Sequence, residues 1–366
     1  MADSSIVRAA AAVLAAVFFA ASGFAYAQTQ VPTPAPTPEN SGPAAAAQRQ
    51  QAQPLNNAPV WREVRSGTPA KTTVTGRETN VLIQSGGETW RSLRVPLIFW
   101  GGVLVAIGIL GLAVFYLLRG PLDIGEGERR GGRLIERFSP LDRYAHWLLA
   151  ITWVTLAITG LILSLGKSVL LPLVGYTLFS WLAILSKNLH NFVGPILIVA
   201  IPLMFVRYIR DNGIGMDDVR WFVNIIGYFK GHEYPSGRFN AGEKLVFWFV
   251  LVLFSTILVV SGLVLVFPNF DQTRGTMQIA NVAHMITAYL AISLALVHVY
   301  LGTIGMVDAY KAMRYGYVDE SWAKHHHLGW YQDVAAGRAR QKFADPQAVP
   351  PAASPPRTRP ASAGQA

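Results

Sequence analysis

Long apolar runs, rather than short alternating segments, set the pattern of this chain. Five stretches, roughly 95–118, 145–166, 188–209, 244–267 and 281–305, each hold about 20 mostly apolar residues, the length a helix needs to cross a hydrocarbon core. A sixth, Val169 to Ser186, contains Pro172 and Gly175 and passes through Lys187 into the next span with no room for a return loop. It reads as an interfacial or re-entrant segment. Between the third and fourth spans, the stretch from Val219 to Lys230 spaces Phe222, Ile225, Ile226 and Phe229 along one helical face, predicting an amphipathic helix on the membrane surface or on a partner.

Ahead of the spans the pattern changes twice. Residues 1–27 combine Arg8, an apolar stretch from Ala9 to Phe19 and the triplet Ala25-Tyr26-Ala27, which together predict a secretory signal peptide cut after Ala27. From Gln28 to about Asn57 the chain is Pro, Ala, Gln and Thr, too weakly apolar to offset its ordering entropy, and is expected to be a disordered linker. Residues 58–94, with Trp61 and Trp90, complete an exported segment of undecided fold.

Composition supports the same class. Of 366 residues 52% are apolar and 14% charged, against about 25% charged in soluble domains. With no cysteine, disulfides, thiolate metal sites, cysteine-ligated iron–sulfur clusters and covalently attached c-type haem are excluded. The net charge of +10 belongs to membrane-flanking loops and does not describe a nucleic-acid groove. Six arginines fall in 119–144 and six basic residues in 207–244, whereas 167–187 has two lysines and 268–281 only Arg274. The basic loops are expected on the cytoplasmic side, with the segment before the first span outside and the tail after Met306 inside.

Four of the eight histidines lie in or at the ends of spans: His146, His190, His284 and His298. Ionisable or coordinating groups at membrane depth are costly and point to function. His146 and His298 belong to the inner level, His190 and His284 to the outer. The 14 residues from His284 to His298 return to within about 40° of the same face and separate the levels by roughly 21 Å. Two histidines on opposite faces of a macrocycle make a six-coordinate b-type haem suited to electron transfer. Zinc would require more ligands than each level offers. Gly160, Gly194 and Gly262 are small enough either for a macrocycle to approach or for ordinary helix packing. Arg143, Arg207 and Arg210 lie at the inner edge, as positive-inside anchors or beside haem propionates.

The segments from Arg137 to Trp147, from Leu189 to Gly194, from Phe239 to Lys244, and Ala283-His284 with His298 resemble the gamma subunit of respiratory formate dehydrogenase, a di-haem cytochrome b membrane anchor. The resemblance covers about 137–318. It implies His146 and His298 as axial iron ligands of the inner haem, His190 and His284 as those of the outer, and Asn240 and Gly242 in a quinone site beside the inner haem. From sequence alone, Asn240-Ala241-Gly242 is a helix cap. The resemblance also implies an iron–sulfur electron-transfer partner, a molybdenum or tungsten catalytic subunit, and quinone as acceptor. Such a subunit transfers electrons and does not itself oxidise formate.

The expected fold class is all-α, a polytopic transmembrane bundle in the bacterial inner membrane. Its parts are a signal peptide (1–27), an exported segment (28–94), an extra amino-terminal span (95–118), a cytoplasmic loop (119–144), a four-helix di-haem domain (145–318) and a largely disordered cytoplasmic tail (319–366). The leading segments depart from the four-helix members of the family. The triplet His325-His326-His327 is expected in a solvated tail. Alternative functions are the cytochrome b subunit of a nickel–iron hydrogenase or thiosulfate-type reductase and, from another class, a haem-free scaffold or transporter with structural or proton-relaying histidines.

Overall fold

The computed structural model describes residues 61–62, 65–66, 86–123, 133–229 and 235–345. The expected signal peptide and Pro/Ala-rich linker lie outside these residues. The helices, in order, are α1 (Gly87–Arg119), α2 (Pro140–Val169), α3 (Leu171–Asp211), α4 (Met216–Val223), α5 (Ile225–Phe229), α6 (Ala241–Val266), α7 (Arg274–Gly305), α8 (Ala309–Tyr315), α9 (Glu320–His326) and α10 (Leu328–Ala335). α1, α2, α3, α6 and α7 are long and apolar enough to cross a bilayer, so the protein is a multi-pass membrane helix bundle, as its apolar runs predict.

The described residues form two compact units, one up to Phe99 together with Val264–Val282, the other Trp100–Leu263 with the residues from Ala283 onward. In the first unit α1 opens with an exposed Glu88–Arg91 pair (2.7 Å), and Thr273 Oγ1 caps α7 by accepting from the Thr276 N–H (3.1 Å). The second unit holds all four span histidines.

Within the second unit, α1 packs on α2 and α7. A Cβ at Gly101 would collide with the Tyr289 ring and one at Gly102 with Leu165 (2.9 Å). Small residues thus let the helices close where no hydrophobic driving force separates protein from lipid. Val105, Tyr289 and Ile292 form the buried centre of that contact.

One span and the amphipathic helix differ from expectation. Val169 to Ser186, expected to be an interfacial or re-entrant segment, takes in the end of α2, the cap at Leu170 and the first part of α3, whose helical backbone is broken at Gly175. The reversal takes place at Leu170–Gly175, where Gly175 adopts φ +74° and accomplishes the return that the sequence left no loop to make. Farther along, Gly194–Ile196 tightens to a 3₁₀ turn because Pro195 has no N–H for the helical ladder. The expected single amphipathic helix is split at Asn224 into α4 and α5. Trp221 and Ile225 pack on the core while Phe222, Val223 and Ile226 are exposed; the side chain of Phe229 lies outside the described residues.

Of the tail expected to be largely disordered (319–366), the described part, 319–345, is folded. Strand β1 (Leu134–Glu136) pairs antiparallel with β2 (Tyr317–Asp319), with Ile135 opposite Val318. Phe343 bridges to Ile135, and the Ala344 N–H donates to the Leu134 carbonyl (2.8 Å). Ile135, Val318, Trp322 and Trp330 sit in the main buried cluster with Phe138, Tyr208 and Phe239. His326 and His327 are buried there too, which corrects the reading of the His325–His327 triplet as solvated. Burying two tryptophans and a short sheet supplies the apolar area that a disordered tail lacks.

Candidate functional site

α2 and α6 start in the same way. Arg137-Phe138-Ser139 precedes α2 and Arg238-Phe239-Asn240 precedes α6. Ser139 Oγ accepts the Asp142 N–H (3.3 Å), and Asp142 Oδ2 accepts the Ser139 N–H (3.2 Å). Asn240 Oδ1 accepts the Glu243 N–H (3.0 Å), and Glu243 Oε2 accepts the Asn240 N–H (2.9 Å). Both are reciprocal capping boxes. The arginines exchange bonds: Arg137 Nη2 donates to the Arg238 carbonyl (2.8 Å) and Arg238 Nη2 to the Arg137 carbonyl (2.7 Å).

Around this exchange lies a buried ionic network. Arg238 pairs with Asp142 (3.0 Å) and Asp211 (2.6 Å), Arg207 with Asp142 (2.6 Å), and Arg137 with Glu243 (3.0 Å). Burial pulls the Arg137 pKa below its ordinary value, with Glu243 opposing. His327 Nδ1 bonds the Gly237 carbonyl (2.9 Å), and burial, reinforced by Arg137, lowers its pKa to about 3, leaving the ring neutral. Together these groups set the ends and the rotation of both helices.

Further along, the helices bring the histidines together in the expected pairs. The rings of His146 and His298 lie 6.3 Å apart between centres, those of His190 and His284 6.1 Å. A metal–imidazole bond of about 2 Å, with roughly 1 Å more to the ring centre, sets two imidazoles on opposite sides of one ion about 6 Å apart. Both pairs therefore fit a single metal ion held between two rings. Among the described residues no group of three or more His, Asp or Glu is placed to hold a metal, so a metal held at either pair would take two protein nitrogens and need its other ligands from outside the chain, as a macrocycle would supply them. His146 Nδ1 is buried without a hydrogen-bond partner among the described residues, a costly state for an imidazole that is not otherwise engaged.

Two glycines singled out in the sequence face these rings. A Cβ at Gly160 would lie 3.3 Å from His190 Cε1, and one at Gly262 3.4 Å from His284 Cε1; Gly194 has open space instead. Beside each glycine stands a hydroxyl that sequence reasoning missed. Thr159 Oγ1 is 2.9 Å from His190 Nδ1 and Ser261 Oγ 3.0 Å from His284 Nδ1. The chain thus carries one hairpin twice, α2–α3 and α6–α7, each with an Arg-Phe start, a capping box, a hydroxyl-glycine pair and a facing histidine. The signal was available as the spacing of Arg-Phe-cap-x-x-acid at 137 and 238. At the other level the repeat is broken. The position matching His146 is Phe247, stacked on Phe205 (5.9 Å, 17°), and the one matching His298 is Met204, packed on the same core.

Asn240 is the cap of α6; the cap uses Oδ1, so the Nδ2 amide takes no part in it. Gly242 lies against Trp221, whose Cη2 would be 3.2 Å from an added Cβ. Arg207 is engaged by Asp142 and Ser139, Arg143 Nη1 donates to the Arg314 carbonyl (2.8 Å), and Arg210 is exposed.

A helical membrane bundle with facing imidazole pairs is a membrane cytochrome of b type. The family model described as prokaryotic cytochrome b561 matches residues 137–316. A formate dehydrogenase cytochrome b556 subunit of Escherichia coli K12 is 32% identical over 209 residues, covering 55% of this chain and 93% of the relative. The nitrate-inducible cytochrome b556 subunit of the same strain is 28% identical over 221 residues (57% and 96%). A Haemophilus influenzae Rd formate dehydrogenase cytochrome b556 subunit is 25% identical over 226 residues (59% and 89%). The chain belongs to the family of formate dehydrogenase cytochrome b subunits, and the cofactor this family implies is haem b.

Proposed function

We propose that this chain is the membrane electron-transfer subunit of a formate dehydrogenase complex, joining an iron–sulfur subunit and a molybdenum or tungsten catalytic subunit to the quinone pool. The observation that carries this reading is the presence of two facing histidine pairs, His146 with His298 and His190 with His284, on one bundle. A haem b at each pair supplies one-electron transfer between the two levels. The His190–His284 level faces the periplasm and the donor, and the His146–His298 level faces the cytoplasm, following the basic loops. Reporters fused near Pro59 and at Gly337 should accordingly appear on opposite sides, the first outside; finding both on one side overturns this orientation.

Quinone binds at the start of α6. Asn240 keeps its Oδ1 in the cap and presents its Nδ2 amide to a quinone carbonyl at the apolar boundary, a donor without a charge. Gly242 admits the Trp221 indole, which forms the wall of the site. Asn240→Ala is expected to slow quinone reduction while both haems assemble and accept electrons. A purely capping role predicts a loss of about 1 kcal/mol of stability with turnover nearly unchanged. Asn240→Ser separates the two, because serine caps equally well but has no amide. Normal quinone turnover in Asn240→Ser removes Asn240 from the site.

A further inference from the structure

The contacts of Thr159 and Ser261 reach beyond helix packing. Each hydroxyl has one proton, and each has a carbonyl one turn back to receive it: Thr159 Oγ1 donates to the Thr155 carbonyl (2.8 Å) and Ser261 Oγ to the Ile257 carbonyl (2.6 Å). That leaves each oxygen only lone pairs for the imidazole it faces. The Nδ1 atoms of His190 and His284, at 2.9 and 3.0 Å, are then placed to donate to the hydroxyl oxygens in the Nδ1–H tautomer.

A donating Nδ1 fixes the tautomer in which Nε2 has a free lone pair. Such an outer partner orients a ligating ring and raises its basicity. We propose that Thr159 and Ser261 are paired positioning residues that hold His190 and His284 as Nδ1–H tautomers with Nε2 turned to a shared iron, one residue from each hairpin acting on the same haem. The proposal rests on the two-haem reading given above. At the other pair His146 differs, since its Nδ1 has no hydrogen-bond partner among the described residues.

The test is an optical and electron paramagnetic resonance redox titration of the purified full-length chain, with Thr159→Val, Ser261→Ala and the exchanges Thr159→Ser and Ser261→Thr. Valine matches threonine in shape, so packing is retained while the acceptor is lost. A less electron-rich imidazole holds ferric iron less well than ferrous. A tenfold selective weakening of the ferric form raises the midpoint potential of one haem by about 59 mV. Thr159→Val and Ser261→Ala should move the same haem and its low-spin signals upward, leave the second haem in place, and release haem about tenfold more readily to an acceptor apoprotein. The hydroxyl exchanges should restore both values. If the wild type carries fewer than two haems, the two-haem reading fails and takes this one with it. If it carries two, and both variants keep the wild-type potential and retention, the positioning role alone is overturned. Should Thr159→Val fail to accumulate, Ser261→Ala, which only removes an atom, decides the matter in the same way.

Discussion

Purified with its histidines intact, the chain should show two low-spin b haems, and His190→Ala should show one. Alanine leaves the His284 side with a single axial nitrogen, so the iron becomes five-coordinate or is not retained. The same loss is expected for His284→Ala at that level, and for His146→Ala or His298→Ala at the other. A pyridine haemochrome count with a reduced-minus-oxidised spectrum reads the result directly. Pairing is tested by the double variants. His190→Ala with His284→Ala should lose no more haem than either alone, whereas His190→Ala with His146→Ala should lose both. Two intact low-spin haems in His190→Ala would overturn the pairing.

A second large effect is expected at Asp142. Its carboxylate is buried and faces both Arg207 and Arg238, and the Arg238 side chain is 4% exposed. Removing one partner of a buried pair leaves a charge without compensation, at a cost of about 3–5 kcal/mol. Asp142 also closes the cap at Ser139, so Asp142→Ala loses the start of α2 as well. Asp142→Ala should therefore unfold at markedly lower temperature in detergent and accumulate poorly in membranes. Asp217→Ala, which breaks only an exposed pair with Arg220, should stay close to wild type. Equal melting behaviour of the two variants would show that the network does not hold the helix starts.

The five spans were legible because lipid demands about 20 apolar residues in a row, and few other structures do. The histidine pairs were legible for a related reason: a group that is expensive at membrane depth stands out, and the helical rise converts its position into a level. The return at Gly175 was not. One glycine in the left-handed region can replace a loop, and within an apolar run nothing polar marks the place. The folded tail was not legible because its helices are short and its apolar residues, Trp322, Trp330 and Val334, are scattered among polar ones such as Lys324 and the three histidines. They gain a core only by meeting β1 and the loop at Ser236, far away in sequence. Thr159 and Ser261 were invisible for yet another reason. Helical threonine and serine ordinarily bond their own carbonyls, as these two do, and only the fold reveals that their lone pairs meet an imidazole.

The two hairpins are not of equal length. Thr159 follows the cap Ser139 by twenty residues, whereas Ser261 follows the cap Asn240 by twenty-one. Val246–Phe254 is π-helical, and Ser255 Oγ reaches the Val250 carbonyl five residues back (2.7 Å). A widened stretch of this kind takes up one extra residue. In an unbroken α-helix that residue would turn everything beyond it by about 100° and shift it by about 1.5 Å, swinging Ser261 and Gly262 away from His284. The wide turn acts as a phase corrector: it lets the two hairpins differ in length near the Phe247 end, where their residues differ, while their far ends still keep time with each other.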